Sequence, residues 1–171
     1  MSVKQFSASY VAIEDRIVLS LNTTEGELFF FILTRAVTCA LLNQAEMAVE
    51  QSLASQHSVR SSKVISEFQK EGLKKQINFQ ENFEGGTITP LGKDPILVCQ
   101  VTLDVKPELI SIGLTLLSNQ VVGFALPPVQ LQAFCLLLER LARQAHWGFG
   151  TEVQASSSIE LGTSAKAPQL H

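Results

Sequence analysis

The sequence lacks the motifs that mark the common catalytic and metal sites. It has no CxxC, HExxH, GxSxG or GxGxxG motif, and Gly85-Gly86 is not followed by the Lys-Ser/Thr of a phosphate-binding loop. Its three histidines, His57, His146 and His171, lie far apart, so they form no ligand cluster. We therefore expect no catalytic residues, no metal and no cofactor. The sequence does not decide whether the protein is an enzyme, but it favours a protein that is not one.

Long apolar runs and a disulfide pattern are also missing. The run Leu28–Leu33 is six residues long and no apolar run is longer, whereas a bilayer span needs roughly 20. The first residues lack the apolar segment of a signal peptide. Cys39, Cys99 and Cys135 are odd in number and lie in apolar runs, which favours small buried hydrophobic side chains in a reducing compartment. These features predict a cytoplasmic protein with no membrane partner.

Charge is scarce as well: 17% of the residues are charged and the net charge is −3. That balance argues against a general nucleic-acid binder, which works by neutralising phosphates. One basic cluster exists, and a solvated helix face explains it more simply than a binding patch. As an alternative, an anion or partner would contact the cluster together with one residue outside it: Arg35, Arg60, Lys63, Lys70, Lys74 and Lys75.

Arg35 is singled out because it lies at the start of a predicted helix. A cation is disfavoured there by about 0.3–1 kcal/mol. We expect an ion pair with Glu25 or Glu27, or an external anion, to offset this cost. The carboxylate pairs Glu14-Asp15 and Glu25/Glu27 lie at predicted hairpin ends, where charges face water, so neither is expected to be catalytic.

Apolar residues, in contrast, are abundant. They make up 46% of the 171 residues, and the mean hydropathy is +0.20. A chain of this length fits one domain. The excess indicates either a rich core or apolar surface hidden in a homo-oligomer.

Hydrophobic periodicity predicts the same order of elements twice. Alternating residues predict strands at 3–11, 16–22 and 27–33, followed by a helix from Arg35 with Thr34 as its N-cap. They predict strands again at 96–105, 109–116 and 120–126, followed by a helix opened by Pro128 and ending near Trp147.

An offset of 93 residues aligns the two halves without a gap, for example Phe31 with Phe124. We therefore predict an α+β fold of two βββα units, an internal repeat of antiparallel meanders, each with a packed helix, forming one compact pseudo-symmetric domain over residues 1–149. The half-repeats cover 3–56 and 86–148, a helical or loop linker covers 57–85, and 150–171 is a disordered tail.

The halves differ on one strand. Leu28, Phe30 and Ile32 occupy the face opposite Phe29, Phe31 and Leu33, whereas their counterparts Val121, Gly123 and Ala125 are smaller. A strand that is bulky on both faces is expected to be buried on both. The linker helix, the other half or a second subunit would cover Phe30.

The repeated order of elements resembles the repeats of Pur-type and Whirly single-stranded nucleic-acid-binding domains. That resemblance implies single-stranded nucleic-acid binding, but the chain lacks their basic, aromatic-studded sheet face. Our leading hypothesis is a non-enzymatic structural or interaction protein that acts through oligomerisation or a partner-binding surface. Nucleic-acid binding is the alternative, and an enzyme with a site at the junction of the two halves is the third.

Overall fold

The computed structural model describes residues 1–54, 71–72, 83, 85–106 and 108–148. These residues form an α+β fold with a six-stranded mixed sheet and two helices. In chain order the elements are β1 (Val3–Val11), β2 (Arg16–Thr23), β3 (Leu28–Leu33), α1 (Arg35–Ala54), β4 (Ile96–Val105), β5 (Ile110–Leu116), β6 (Val121–Leu126) and α2 (Pro128–Gln144).

Alternation of apolar and small polar residues produces the strands. In β2, Ile17, Leu19 and Leu21 are fully buried, while Val18 and Ser20 on the other face are partly exposed. The β5 strand repeats this pattern from Ile110 to Leu116. Each strand therefore has one face in the core and one face that the helices do not cover.

Antiparallel pairing holds three strands together in each half. The β2–β3 ladder runs from Ile17↔Leu33 to Asn22↔Leu28. The β5–β6 ladder runs from Ile110↔Leu126 to Leu114↔Val122 and Thr115↔Val121. Both ladders have the same register once 93 is added to each residue number.

The first strand of each half departs from that offset. Phe6 pairs with Leu21, whereas Val101 pairs with Leu114, so Phe6 corresponds to Val101 and not to Cys99 as the gap-free alignment predicted. The required shift is two residues, which preserves the alternation of faces. Both first strands also carry a register irregularity, between Val3 and Gln5 in β1 and between Val98 and Gln100 in β4.

The β4 irregularity corrects one prediction about the cysteines. Cys135 is buried and Cys39 is partly buried, but Cys99 is exposed. Cys99 lies between Val98 and Gln100, where the register shifts, and the extra residue of a bulge leaves the alternation of the ladder. An apolar run in the sequence therefore did not bury this thiol.

The two three-stranded ladders meet in parallel contacts. On one side, β3 pairs with β4 through Phe31↔Ile96 and Ile32↔Leu97. On the other side, Ser2 forms a parallel bridge with Ala125, which brings the start of β1 beside β6. The sheet therefore curls until its first and last strands touch.

Local signals set the beginnings of the helices as predicted. The amide of Val37 donates to Thr34 Oγ1 at 3.3 Å, so Thr34 caps α1. Pro128 occupies the first turn of α2, where a missing amide costs no hydrogen bond. The helix ends at Gln144, slightly before the predicted end.

Each helix packs mainly on a strand of the opposite half. The α1 helix lies against β4, α2 lies against β1, and the two helices contact each other. The Phe134 ring of α2 meets the Phe6 ring at 5.2 Å and the Phe124 ring at 6.5 Å, both edge-on. Since these rings share the core face of the sheet, both helices are part of a single hydrophobic core.

Two predicted segments fall largely outside the part of the chain that the structure describes. Of the linker 57–85, only residues 71–72, 83 and 85 are described, and the tail 150–171 lies outside entirely. No described helix is both long enough and apolar enough to cross a membrane.

Candidate functional site

The sheet face opposite the helices, which we call the outer face, differs between the two halves. In the first half it carries a ridge, defined as Val18, Phe30 and Ile32. Val18 pairs with Ile32, and Phe30 pairs with Ser20, so the three apolar side chains are neighbours on β2 and β3. All three are partly exposed in the single chain, and the expectation that the linker helix or a second subunit covers Phe30 stays a prediction.

In the second half the outer face carries an open groove of about 380 Å³. Its floor is a cross-strand glycine pair, Gly113↔Gly123, and Gly113 also lies opposite Thr102 of β4. The lining residues are Met1, Thr102, Leu103, Asp104, Ser111, Ile112, Gly113, Gly123, Phe124 and Ala125.

The two glycines tolerate a side chain differently. A Cβ atom on Gly113 would lie 2.7 Å from Thr102 Oγ1, which is closer than real Cβ contacts. A Cβ atom on Gly123 would have the carbonyl oxygen of Ile112 as its nearest neighbour, at 4.0 Å. Gly113 therefore leaves room for the Thr102 side chain, whereas the absence of a side chain at Gly123 leaves the groove open.

The polar groups of the groove offer little chemistry. Thr102 and Ser111 contribute hydroxyls, Asp104 contributes a carboxylate, and the Met1 nitrogen donates to the Gly123 carbonyl at 3.4 Å. General acid–base catalysis needs a proton donor and acceptor placed around one reacting group. The groove offers no such arrangement, and its main feature is the space that its glycine floor leaves beside these few polar groups.

A second cluster joins the β1–β2 turn to the end of α2. Trp147 Nε1 donates to Asp15 Oδ1 at 2.7 Å, and the Tyr10 hydroxyl donates to the same oxygen at 2.8 Å. The Tyr10 and Trp147 rings meet edge-on at 6.0 Å, and Trp147 is buried. We call Tyr10, Asp15 and Trp147 the latch because they tie together residues 132 positions apart.

The latch shifts the pKa values of both acids. The hydrogen bond from Trp147 lowers the pKa of Asp15 below its ordinary 3.8, with further lowering by Tyr10 and by the charge of Arg35. The hydrogen bond to Asp15 raises the pKa of Tyr10 above its ordinary 10.0. The hydrogen bonds of the latch therefore favour ionised Asp15 and neutral Tyr10, the forms in which both bonds are made.

Of the six predicted contact residues, only Arg35 belongs to the part of the chain that the structure describes. Arg35 is exposed at the start of α1, and its charge contributes to the lowered pKa of Asp15. The other five predicted contacts, Arg60, Lys63, Lys70, Lys74 and Lys75, lie outside the described residues.

Sequence reasoning missed the latch and located the groove only in part. Trp147 is distant in sequence from Asp15, so no local pattern could join them. The small residues Gly123 and Ala125 were noticed, but the pairing of Gly113 with Gly123 depends on the register of β5 and β6. The available signal was the alternation of apolar residues in β5 and β6, which places Gly113 and Gly123 on the same face of the sheet.

Neither a metal-ligand cluster nor a known relative identifies the function of this site. Among the described residues, no group of three or more His, Cys, Asp or Glu side chains could hold a metal ion. No family model, no curated protein and no solved structure matches the chain.

The two groove glycines give a matched prediction. We expect Gly113→Ala to lower the free energy of unfolding by about 1–3 kcal/mol, because the new methyl group overlaps Thr102. Gly123→Ala should leave stability unchanged or raise it by about 0.5–1 kcal/mol, since glycine is unfavourable within a strand. Urea denaturation measures both. Thr102→Ala should abolish the cost of Gly113→Ala, and an equal cost for the two alanines would contradict the geometry.

The latch predicts a pH dependence of stability. Because the pKa of Asp15 is lowered on folding, its contribution is complete above pH 3.8 and is lost as pH falls through the lower folded value. Because the pKa of Tyr10 is raised, its contribution is complete below pH 10.0 and is lost as pH rises through the higher folded value. Asp15→Asn should therefore be less stable than wild type at neutral pH, and this difference should shrink in acid.

The single tryptophan supplies the measurement for this prediction, because Trp147 fluorescence reports unfolding directly. As a positive control, Trp147→Ala, followed by circular dichroism because it lacks the fluorescent reporter, should cost about 3–5 kcal/mol, the usual range for removing a buried large aromatic. A difference between wild type and Asp15→Asn that stays constant well below pH 3.8 would show that the charge of Asp15 is irrelevant.

Proposed function

We propose that the chain is a non-enzymatic structural or interaction protein that self-associates through the outer face of its sheet. The observation that carries this proposal is the shape of that face. A ridge of apolar side chains in one half corresponds to an open groove in the other. The two surfaces belong to equivalent strands, so one molecule presents both complementary shapes.

The correspondence is position by position. Phe30 lies opposite Ser20 in the first half, and Gly123 lies opposite Gly113 at the matching position of the second half. The ring of Phe30 is thus present where the other half has an empty space. The ridge of one copy would thus enter the groove of another copy.

The physical chemistry of the surface favours this contact. The ridge carries no charge, and burying an aliphatic or aromatic side chain contributes about 25 cal/mol per Å² of apolar area removed from water. The hydroxyls of Thr102 and Ser111 line the groove, where they can keep neighbouring water or backbone partners. Association would remove Phe30 from solvent, and it requires Asp104 and the Met1 nitrogen, which also line the groove, to keep their contact with water.

A duplicated, pseudo-symmetric origin of the two halves is part of the same proposal. The equal registers of the two hairpins support it, as do the matching irregularities in β1 and β4. The parallel contacts support it further. Adding 93 to the number of Ile32 gives Ala125, and subtracting 95 from that of Leu97 gives Ser2. The parallel pair Ile32↔Leu97 therefore corresponds to the parallel pair Ala125↔Ser2. After a duplication, one copy could keep the bulky side chains while the other lost them.

Self-association is tested by sedimentation with variants on each surface. We expect the wild-type chain to sediment as a dimer or a larger assembly at micromolar concentration. Phe30→Ser removes the ridge, and Gly123→Val fills the groove at a position with free space, so each should weaken association at least tenfold. Met47→Ser is the matched control, since Met47 is 71% exposed on α1, away from the outer face.

The outcomes separate this surface from others. Loss of the dimer in Phe30→Ser and Gly123→Val, but not in Met47→Ser, supports the outer face as the interface. A wild-type chain that remains monomeric at high concentration would contradict the proposal. So would a dimer that tolerates both outer-face substitutions.

A further inference from the structure

The edge of β3 is occupied by a segment of the same chain. The Leu28 amide donates to the Ile88 carbonyl at 2.7 Å, and the Ile88 amide donates to the Gly26 carbonyl at 3.2 Å. Glu27 and Ile88 thereby form a parallel bridge, and Thr87 also donates to Gly26 at 3.1 Å. Residues 86–88 therefore act as a short added strand, and Leu28 beside them is only 8% exposed.

The turn before β6 has the same backbone geometry as the turn before β3. The Thr23 amide donates to Glu27 at 2.9 Å, and the Leu116 amide donates to Gln120 at 2.8 Å. The turn residues match as well, because Gly26 has φ +79° and its counterpart has φ +62°.

That counterpart is Asn119, whose amide donates to the Leu116 carbonyl at 2.9 Å, as the Gly26 amide does to Thr23 at 3.1 Å. The carbonyl of Asn119 and the amide of Val121 are thus presented at the edge of β6 as those of Gly26 and Leu28 are at the edge of β3. They form a ready donor–acceptor pair for an added strand.

No other described segment pairs with this second edge at Asn119 or Val121. Val121 is 60% exposed, although its counterpart Leu28 is nearly buried, and Leu117 in the adjoining turn is 72% exposed. An unpaired strand edge with exposed apolar side chains is a template for another strand.

We propose that the edge of β6 at Asn119–Val121 binds an extended peptide segment of a partner protein, running parallel to β6. The Val121 amide donates to a carbonyl of the peptide, and the Asn119 carbonyl accepts from the amide of the same residue. This is strand addition, in which the main chain provides affinity. The inference rests on the proposed function as an interaction protein and names a second surface of it.

The occupied edge also indicates which peptide fits. Gly86 approaches Gly26 so closely that a Cβ atom there would overlap the Gly26 carbonyl oxygen. A peptide on β6 therefore needs glycine at the corresponding position, beside the Asn119 carbonyl. Residues 117–123 carry no charge, so the matching stretch of the peptide is uncharged, as in Gly86-Thr87-Ile88.

A synthetic peptide with the sequence of residues 83–90, Phe-Glu-Gly-Gly-Thr-Ile-Thr-Pro, is the probe. We expect its titration into the ¹⁵N-labelled full chain to shift the amide resonances of Val121 and its neighbours saturably, at roughly millimolar affinity. The same peptide with valine in place of its second glycine should bind at least tenfold more weakly.

Two variants at one position separate main-chain from side-chain binding. Val121→Pro removes the donated N–H at an unpaired edge, where proline is tolerated, and should weaken binding at least tenfold. Val121→Ala keeps the N–H and should retain binding within about threefold. The remaining amide resonances report whether each variant is folded.

Three results would overturn the inference: no shift with the wild-type chain, equal binding by Val121→Pro, or equal binding of the valine peptide. Repeating the titration in Phe30→Ser separates this inference from self-association. Peptide binding that persists in a monomeric chain supports the β6 edge whatever the state of the outer face. A dimer that binds no peptide would leave the outer face supported and the edge rejected.

Discussion

Each helix covers the first strand of the opposite half, and the rest of the structure depends on this exchange. The α1 helix packs on β4, and Gln44 Nε2 reaches the Val101 carbonyl there at 3.4 Å. The α2 helix packs on β1, where Phe134 meets Phe6. Neither three-stranded ladder could bury its own core face alone, because its own helix lies mainly on the other ladder. The two halves therefore share one hydrophobic core.

The exchange also explains why α2 is buried around most of its circumference. From Leu131 to Leu138 every residue except Ala133 is buried, since the helix lies between β1, β6 and α1. A helix in such a position needs apolar residues on several faces. The latch at its end, where Trp147 meets Asp15, then fastens α2 to the β1–β2 turn.

With both helices committed to one face, the outer face of the sheet carries no part of this core. That freedom allows the two halves to differ there while their registers agree. Phe30 and Gly123 illustrate the point, because exchanging a ring for a hydrogen atom at this position leaves the core face unchanged. The differences between the two halves on the outer face and at the β6 edge are the basis of the function that we propose.

The sequence predicted most of the elements and the ends that local chemistry determines. The alternation in Ile17, Leu19 and Leu21 predicted β2, and Thr34 and Pro128 marked the starts of the helices, because these signals act within a few residues. The two-residue shift of β1 relative to β4 was not predictable, since a bulge changes register without changing composition.

Contacts between distant residues were equally out of reach. The latch joins residues 132 positions apart, and the exposure of Cys99 follows from a local irregularity within an otherwise apolar strand. The groove could be predicted only in part. The small residues Gly123 and Ala125 indicated missing side-chain volume, but only the β5–β6 ladder shows that Gly113 lies opposite Gly123.

Site-directed disulfide trapping tests the central claim most directly. Phe30→Cys and Gly123→Cys, made separately in a chain with Cys39→Ser and Cys99→Ser, are mixed and oxidised at micromolar concentration. The account predicts that the mixture forms a disulfide-linked dimer joining the two different variants, because the ridge of one copy enters the groove of the other. If the mixture yields no more of this mixed dimer than a control with cysteine at the exposed Met47 in place of Phe30, the outer face is not where two copies meet.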